Sequence, residues 1–418
     1  MTKVKSILTQ YVPKDWSIKK IKYVFNERKE INYPQKTDVL ISLTHHRGVI
    51  PYSEKGDIGN KEKDDLTKYK LVYPGDLVVN SMNVIIGSSG LSKYYGLVSP
   101  VYYMLIKKDE SYDNKFFHYL FRSIVFQKNL IGVGNGILEY RMRIPMDKLG
   151  NCKIPLPPSN EQSLISKFLD KKIDTIDGLI NKFKNKINIL NQQKLTFTFE
   201  SITKGLDLKI NLKDSNSDWF NKIPSNWKVK KLKYIFDIKK NIAGELGHNV
   251  ISITQKGCKI KDIESGEGQM SMDYSKYQLV KKGDFLMNHM DLLTGYMDVS
   301  LFDGVTSPDY RVFEIKDKLC SSKYFLYLLQ FCYHNKIFYK YGRGSSLMGR
   351  WRFPTIEFEN FYVPVPPLED QINISKFLET KIKNTDLLTK KILKKINLLQ
   401  EYRETMISSI VTGKKRLN

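Results

Sequence analysis

Cysteine and histidine are scarce, four and six in 418 residues. Cys152, Cys258, Cys320 and Cys332 form no Cys-x-x-Cys pair, and no histidine pair completes a zinc-like spacing. A structural zinc site is therefore not expected, and buried free thiols in a reducing compartment are. No stretch approaches ~18 consecutive apolar residues and no signal pattern precedes a cleavage site, which points away from a membrane and towards the cytoplasm. A Gly-x-x-x-x-Gly-Lys-Ser/Thr loop to cradle ATP phosphates is missing. So is the Asp/Asn-Pro-Pro-aromatic box that an adenine methyltransferase needs to hold a flipped base. Acidic residues are also few, 44 against 68 basic ones, for a formal net charge of +24. Such a field attracts polyanions, so nucleic acid is the leading partner class, with a lysine-rich proteome as the bland alternative. The length favours two or more domains.

What is present is a sequence written twice. Trp16 in Val12–Trp16 returns as Trp227 in Ile223–Trp227, an offset of 227 − 16 = 211. IKKIKYVF, from Ile18 to Phe25, returns as VKKLKYIF, from Val229 to Phe236. Further matches follow in order: Ile41–Thr44 with Ile251–Thr254, Tyr69–Asn80 with Tyr277–Asn288, and Ser99-Pro100-Val101-Tyr102 with Ser307-Pro308-Asp309-Tyr310. Pro155–Pro158 then pairs with Pro364–Pro367, and Ser166–Leu169 with Ser375–Leu378. The period is far longer than the ~20–50 residues of a solenoid, so this is a duplicated domain with its connector.

Each half changes texture once. Residues 12–158 and 223–367 are rich in Val, Ile, Tyr and Phe, with Gly-Asp turns and short strand-like runs. One amphipathic helix is expected in each, around Lys115–Asn129 and Lys323–Lys336. After the Pro-Pro stop, Ser159 and Gln162 have capping-box spacing. Ile165, Leu169, Ile173, Ile176, Ile180, Phe183, Ile187 and Leu190 then recur at steps near four and three. The copy gives Ile374, Leu378, Ile382, Leu388, Ile392, Ile396, Leu399, Met406 and Ile410. Such seams predict coiled-coil-like helices of about forty residues, roughly 60 Å long, over 159–205 and 368–413. Gly205 and Gly413 stand at their ends, and a polar linker is expected over 206–222. The expected fold is α+β: two globular domains in tandem pseudo-repeat, each followed by a long helix, the helices pairing as an antiparallel coiled coil. Two helices each packed on its own domain is the alternative. Antiparallel pairing would give a pseudo-two-fold arrangement suited to two separated patches of one duplex face, ~34 Å apart.

Two globular domains, each followed by a long helix introduced by a Pro-Pro-x-x-Glu-Gln-type motif, resemble the DNA-specificity subunits of type I restriction-modification systems. Ile154-Pro155-Leu156-Pro157-Pro158-Ser159-Asn160-Glu161-Gln162 carries the resemblance in one half. Val363-Pro364-Val365-Pro366-Pro367-Leu368-Glu369-Asp370-Gln371 carries it in the other, with Asp370 in place of Glu161. Ile410-Val411-Thr412-Gly413-Lys414 matches the helix ending, and Ser201-Ile202-Thr203-Lys204-Gly205 is slightly off pattern. The resemblance covers nearly the whole chain. It implies target-recognition domains that each read half of a bipartite, asymmetric double-stranded DNA sequence. It further implies docking of two modification subunits, which methylate adenine with S-adenosylmethionine, and of restriction subunits, which use ATP and Mg. By that resemblance the chain has no catalytic site, no cofactor and no metal of its own. A fused modification-nuclease enzyme would need the missing box. A protein-binding scaffold would tolerate salt, whereas a DNA reader should not.

Candidate DNA contacts follow from residue type and loop position, since base edges are read by Arg, Lys, Asn and Gln. His45, His46 and Arg47 precede Gly48 at a strand end, where the copy has Gln255 and Lys256 before Gly257; an ordinary hairpin tip is the other reading. Asn80 and Asn83, with Asn288 and His289 in the copy, follow the Gly-Asp turn, with packing or capping as the competing role. Arg141 and Arg143, and Arg343, Arg350 and Arg352, surround a Gly-bearing loop and an aromatic, Tyr140 or Trp351; solvated surface arginines are the alternative. Gly132–Gly136 reads as a phosphate-approaching loop or a helix-exit turn rather than a cofactor loop. Trp16 and Trp227 read as core anchors.

Overall fold

The computed structural model describes residues 7–45, 47–56, 65–134, 143–207, 209–263, 271, 273–344 and 351–417. The chain divides into two compact units, residues 1–184 with 392–418, and residues 185–391. Each is organised by a four-stranded antiparallel sheet. In the first unit the order is Phe25–Arg28, Tyr102–Lys107, Leu77–Asn80, Ser89–Leu91. In the second it is Phe236–Lys239, Arg311–Ile315, Phe285–Met287, Met297–Val299. The register repeats as well: Leu77 faces Leu105, and Phe285 faces Phe313.

Strand alternation sends side chains to two layers. In the second unit Phe285, Met287 and Phe313 join helix Ser322–His334 in an aromatic core, while Leu286 and Val312 pack with Ile251 and Val280 beneath the hairpin layer. In the first unit Val78 and Met104 meet Ile41, Leu43, Val49, Val72 and Val98 in the same way. The hairpins are Ile41–Thr44 with Gly48–Pro51, and Ile251–Thr254 with Gly257–Ile260.

The first globular helix is two helices rather than one, Asn114–Arg122 and Ile124–Asn129. Ser123 leaves the helical region (φ −69, ψ 141) and its hydroxyl accepts the Phe126 amide at 3.3 Å, so it caps the second segment. In the copy the helix is continuous. The polar segment 206–222 is also more than a linker. Leu212–Asp214 pairs with Lys222–Pro224, Phe220 is buried in the core, and the Trp219 indole donates to the Tyr362 carbonyl at 3.0 Å.

The long helices run Ser159–Lys204 and Leu368–Val411. Within each unit they lie antiparallel. In the first, Arg403 pairs with Asp177 at 2.6 Å and Lys395 sits 5.9 Å over the Phe183 ring. In the second, Lys194 pairs with Asp386 at 2.9 Å and Phe197 meets Phe377 edge-on. Ile165, Leu169, Ile176 and Ile180 are buried in the first unit with Ile392, Ile396, Met406 and Ile410; Ile202, Ile374 and Leu378 are buried in the second. Leu388, expected in the seam, is 39% exposed.

The helix-initiating motif has a different purpose from a capping box. The Gln162 carboxamide is fully buried, accepting from the Asp113 amide at 3.0 Å and donating to the Pro157 carbonyl at 2.8 Å. The Ser159 hydroxyl meets Ser111 instead of a helix amide. Gln371 repeats the clamp on the Ser321 amide (2.7 Å) and the Leu319 and Pro366 carbonyls. The acidic residue of the motif receives the tryptophan: Trp16 Nε1 donates to Glu161 at 2.9 Å, and Trp227 Nε1 to Asp370 at 3.1 Å. Both indoles are buried, as core anchors should be. Each is also covered by a helix end. A Cβ on Gly205 would lie 3.1 Å from Trp227, and one on Gly413 would lie 2.2 Å from Pro13 and 3.3 Å from Trp16. Both glycines adopt positive φ, which an L side chain resists. All four cysteines are free thiols; Cys332 is buried, and the other three are only half-buried.

Candidate nucleic-acid interface

Three loops gather at one end of each sheet. Register defines that end: Asn80 faces Tyr102 and Val79 faces Ser89, whereas Phe25, Lys107, Leu77 and Leu91 mark the other. The first loop is the hairpin tip. Thr44 Oγ1 accepts from the Arg47 amide at 3.1 Å, and Thr254 Oγ1 accepts from Lys256 at 3.1 Å, so the turns share a capping device. Their tips differ in length and chemistry. His45 is exposed, and its carbonyl accepts from Arg122, which also reaches the Ser89 carbonyl and ties the tip to the sheet. Arg47 pairs with the Glu54 carboxylate and donates to the Glu54 carbonyl at 3.0 Å. Gln255 and Lys256 are exposed, Gln255 Nε2 lying 3.5 Å from the Thr294 carbonyl. His46 lies outside the described residues.

The second loop leaves the central strand. Asn80 Oδ1 accepts the Met82 amide at 3.0 Å and Asn288 Oδ1 accepts the Met290 amide at 3.2 Å. Both oxygens help turn the chain, the capping role set beside base contact above. Asn83 is half-buried, and its carboxamide has no partner among the described residues. Its counterpart Asp291 caps Leu293 and Thr294. His289 is half-buried with an unpartnered Nδ1; burial, then Arg311, Arg352 and Lys240, push its pKa down to about 4, so it is neutral near pH 7.

The third loop returns towards the helix. Its base is fixed identically in both units: the Ile144 amide donates to the Ser81 carbonyl at 3.0 Å, and the Phe353 amide to the His289 carbonyl at 2.7 Å. Tyr103 Oη then donates to the Ile144 carbonyl at 3.1 Å, while Arg311 Nη2 donates to the Phe353 carbonyl at 2.9 Å. Arg311 is buried over the Phe358 ring, and desolvation lowers its pKa to about 10. Arg143 is exposed. Arg343 and Arg352 pair as an antiparallel bridge and are exposed; Arg343 meets Glu357 at 3.0 Å, and the Arg352 guanidinium has no bonded partner among the described residues. Trp351 is stacked on Tyr339 with Nε1 bonded to its carbonyl, a fold contact rather than a free stacking face. Arg141, Tyr140 and Arg350 lie outside the described residues, as do Asn135 and Gly136 of the glycine loop; Gly132 has the positive φ of a helix-exit turn.

Thus Arg352 and His289 are brought together in the second unit, Gln255 joins the same loop cluster, and Asn80 and Asn288 are withdrawn into turns. Sequence reasoning missed the loop anchors Tyr103 and Arg311, which occupy the same position but share no chemistry. The Gly-Asp signature is structural: Asp76 pairs with Arg28 at 2.9 Å and Asp284 with Lys239 at 2.9 Å. Among the described residues no group of three or more His, Cys, Asp or Glu could hold a metal ion, and no helix is long and apolar enough to cross a membrane.

The family model described as the type I restriction modification DNA specificity domain matches twice, over residues 13–189 and 224–398. The chain belongs to the type I restriction-modification DNA specificity family. Its members choose the sequence and carry no catalytic site. It is 25% identical, over 97% of this chain and 94% of the relative, to the type I restriction enzyme MjaVIII specificity subunit of Methanocaldococcus jannaschii. A putative MjaX specificity subunit of the same organism is 25% identical over 53% of this chain and 52% of its own length. Among solved structures the fold is similar to the HsdS subunit from Thermoanaerobacter tengcongensis, with TM-score 0.57, 15% identity and coverage of 97% and 98%. It is also similar to a chain from work on complex assembly and conformational transition of the type I R-M system, with TM-score 0.70, 14% identity and coverage of 96% and 98%. DNA recognition is therefore this chain's task within the family.

Proposed function

We propose that the chain reads a bipartite, asymmetric DNA target in the cytoplasm, residues 12–158 taking one half-site and residues 223–367 the other. It docks two adenine-methylating modification subunits, which restriction subunits join. S-adenosylmethionine, ATP and Mg belong to those partners. The observation that carries this reading is a matched framework with unmatched tips. The clamps, turns and loop bases coincide between units, whereas the exposed tip residues are His45 and Arg47 in one and Gln255 and Lys256 in the other. Loops of equal placement and different chemistry suit two different half-sites. His45, His46, Arg47, Asn83, Arg141 and Arg143, with Gln255, Lys256, His289, Arg343, Arg350 and Arg352, are the proposed contacts. Docking is supported by apolar side chains left exposed on the long helices: Leu164, Leu179, Leu393 and Leu398 in the first unit, Ile189, Leu387 and Leu388 in the second. An apolar helix face in water is a surface for another helix.

The test is co-expression with a cognate modification subunit in a methylation-free host, followed by sequencing for N6-methyladenine. A gapped motif methylated in both halves is expected, and exchanging residues 12–158 should change one half alone. Co-purification without any methylated motif would remove the DNA-reading assignment while sparing the docking one.

A further inference from the structure

The matched framework residues described so far each have a contact that explains them. Trp16 and Trp227 are clamped, Gln162 and Gln371 bridge, and Asp76 and Asp284 are ion-paired. Even within the repeated Lys-Lys-x-Lys-Tyr segment, Lys20 Nζ reaches Asn151 at 3.4 Å and Lys231 Nζ reaches the equivalent Asn360 at 3.1 Å. The pairs Lys22-Tyr23 and Lys233-Tyr234 break this rule. Tyr23 is 59% exposed and Tyr234 is 60% exposed. Each ring has the adjacent lysine ammonium over it, Lys22 at 5.5 Å and Lys233 at 5.4 Å. Neither tyrosine is part of the buried core. Yet the pair persists at equivalent positions of two units whose loop tips have diverged, and a large aromatic left in water twice points outside the chain.

The surroundings describe what it meets. In the first unit Ile18, Lys19, Lys20, Tyr23 and Lys153 line an open basin of about 490 Å³, with Ile18 46% exposed. In the second, Tyr362 is 46% exposed beside Lys231, whose ammonium lies 5.2 Å over the ring. The first patch is apolar at its centre and cationic around it, and the second sets Lys231 and Lys233 over Tyr362 and Tyr234. Both also lie at the sheet end opposite the reading loops. The Lys108 amide donates to the Val24 carbonyl, and the Lys316 amide to the Ile235 carbonyl, just past the far ends of the strands that begin at Tyr102 and Arg311. Strands of six and five residues at ~3.4 Å per residue put roughly 14–20 Å between the patches and the loops.

We infer that Lys22-Tyr23 and Lys233-Tyr234 are docking points for two copies of one protein with an acidic, partly apolar surface, the modification subunit. This rests on the partner reading above and names a surface apart from the long helices. Cations ringing an aromatic anchor should set the salt-sensitive part of that association. The test uses the full chain carrying Lys22→Glu, Tyr23→Ala, Lys233→Glu and Tyr234→Ala, titrated with the modification subunit across a salt series. All four side chains are outside the core, and an unchanged melting curve verifies folding. Expected is about tenfold weaker binding at low salt, with the residual affinity nearly flat in salt and duplex binding unaltered. Variants confined to one unit should weaken one of the two binding steps. Wild-type partner affinity at every salt overturns the inference, as does a loss of duplex affinity in its place, which would make the patch a phosphate contact. If the unaltered chain takes up no modification subunit, the partner reading itself fails. If it does, and only the variants are indistinguishable from it, this inference alone falls.

Discussion

The two units solve the same mechanical problem with different atoms. Both tie the base of the third loop to the sheet, but the first uses Tyr103 and the second Arg311. Both bind the motif glutamine to a backbone amide, at Asp113 in one and Ser321 in the other. At the helix junction they part. Arg416 binds Asp15 and Glu161 beside Trp16, whereas the second unit relies on Tyr324, whose hydroxyl donates to the Ile202 carbonyl at 2.9 Å and the Pro364 carbonyl at 3.3 Å. What has been kept is the position of each connection, not its chemistry. A reader whose tips must vary needs a frame that holds regardless of them.

The largest test of that equivalence is at the tryptophans. Trp16 and Trp227 are buried, hydrogen-bonded to the start of one helix and roofed by the end of the other. Replacing either by Ala removes a large buried anchor of its unit; it leaves Asp370 without its indole donor in the second unit and Glu161 with Arg416 alone in the first. A loss of roughly 3–5 kcal/mol is expected for each, read as a shift of the urea midpoint. If Trp16→Ala costs under about 1 kcal/mol while Trp227→Ala costs the full amount, the junctions are equivalent in sequence only.

A middle-sized difference separates His118 from Leu326, its equivalent in the second unit. The His118 Nδ1 is sealed from water with no partner; burial, then Arg122, lowers its pKa to about 4, Asp170 opposing and Lys115 adding to the fall. Between pH 6.5 and 4 the unfolded chain binds more protons at this site than the folded one. Stability at this site is therefore complete above about pH 6.5 and is lost as pH falls through about 4, on the order of 2–3 kcal/mol. His118→Leu should flatten the pH dependence of unfolding over that window by about one proton. An unchanged slope would mean that His118 is solvated in the native protein and that its unpartnered nitrogen costs nothing.

Much of this architecture was readable in the sequence, because a repeat in constant register and a seam that persists for forty residues exceed local noise. The helix ends followed from Gly205 and Gly413. What was hidden depended on long-range partners. Ser159 and Gln162 have the spacing of a local cap, but Gln162 finds the Asp113 amide 49 positions away. The single helix expected around Lys115–Asn129 is interrupted at Ser123, which caps a second one. In the segment read as a linker, Trp219 and Phe220 were the signal that it enters a core. Of the candidate contacts, Asn80 and Asn288 stand out by residue type and by their place after the Gly-Asp turn, and their side-chain oxygens cap that turn. Tyr103 and Arg311 were invisible since matching looks for like residues, and these two share a task without sharing a side chain.

The smallest predicted effect concerns one oxygen. Tyr324 is fully buried, and its equivalent at the offset of 208 is Phe116, equally buried and edge-on to Trp16. Tyr324→Phe should cost about 1 kcal/mol, because it exposes two carbonyls to an apolar wall without changing the packing. The reciprocal change, Phe116→Tyr, sharpens the comparison. If both junctions share one geometry, the new hydroxyl finds the carbonyls of Val411 and Pro155, and stability holds within about 0.5 kcal/mol. If the first junction is closed more tightly, because Gly413 and Arg416 already press on Trp16 and Asp15, the extra oxygen overpacks the site, at a cost of about 1–3 kcal/mol. Calorimetry on the pair of variants decides between one frame used twice and two frames that merely look alike. The positions kept across the repeat favour the first.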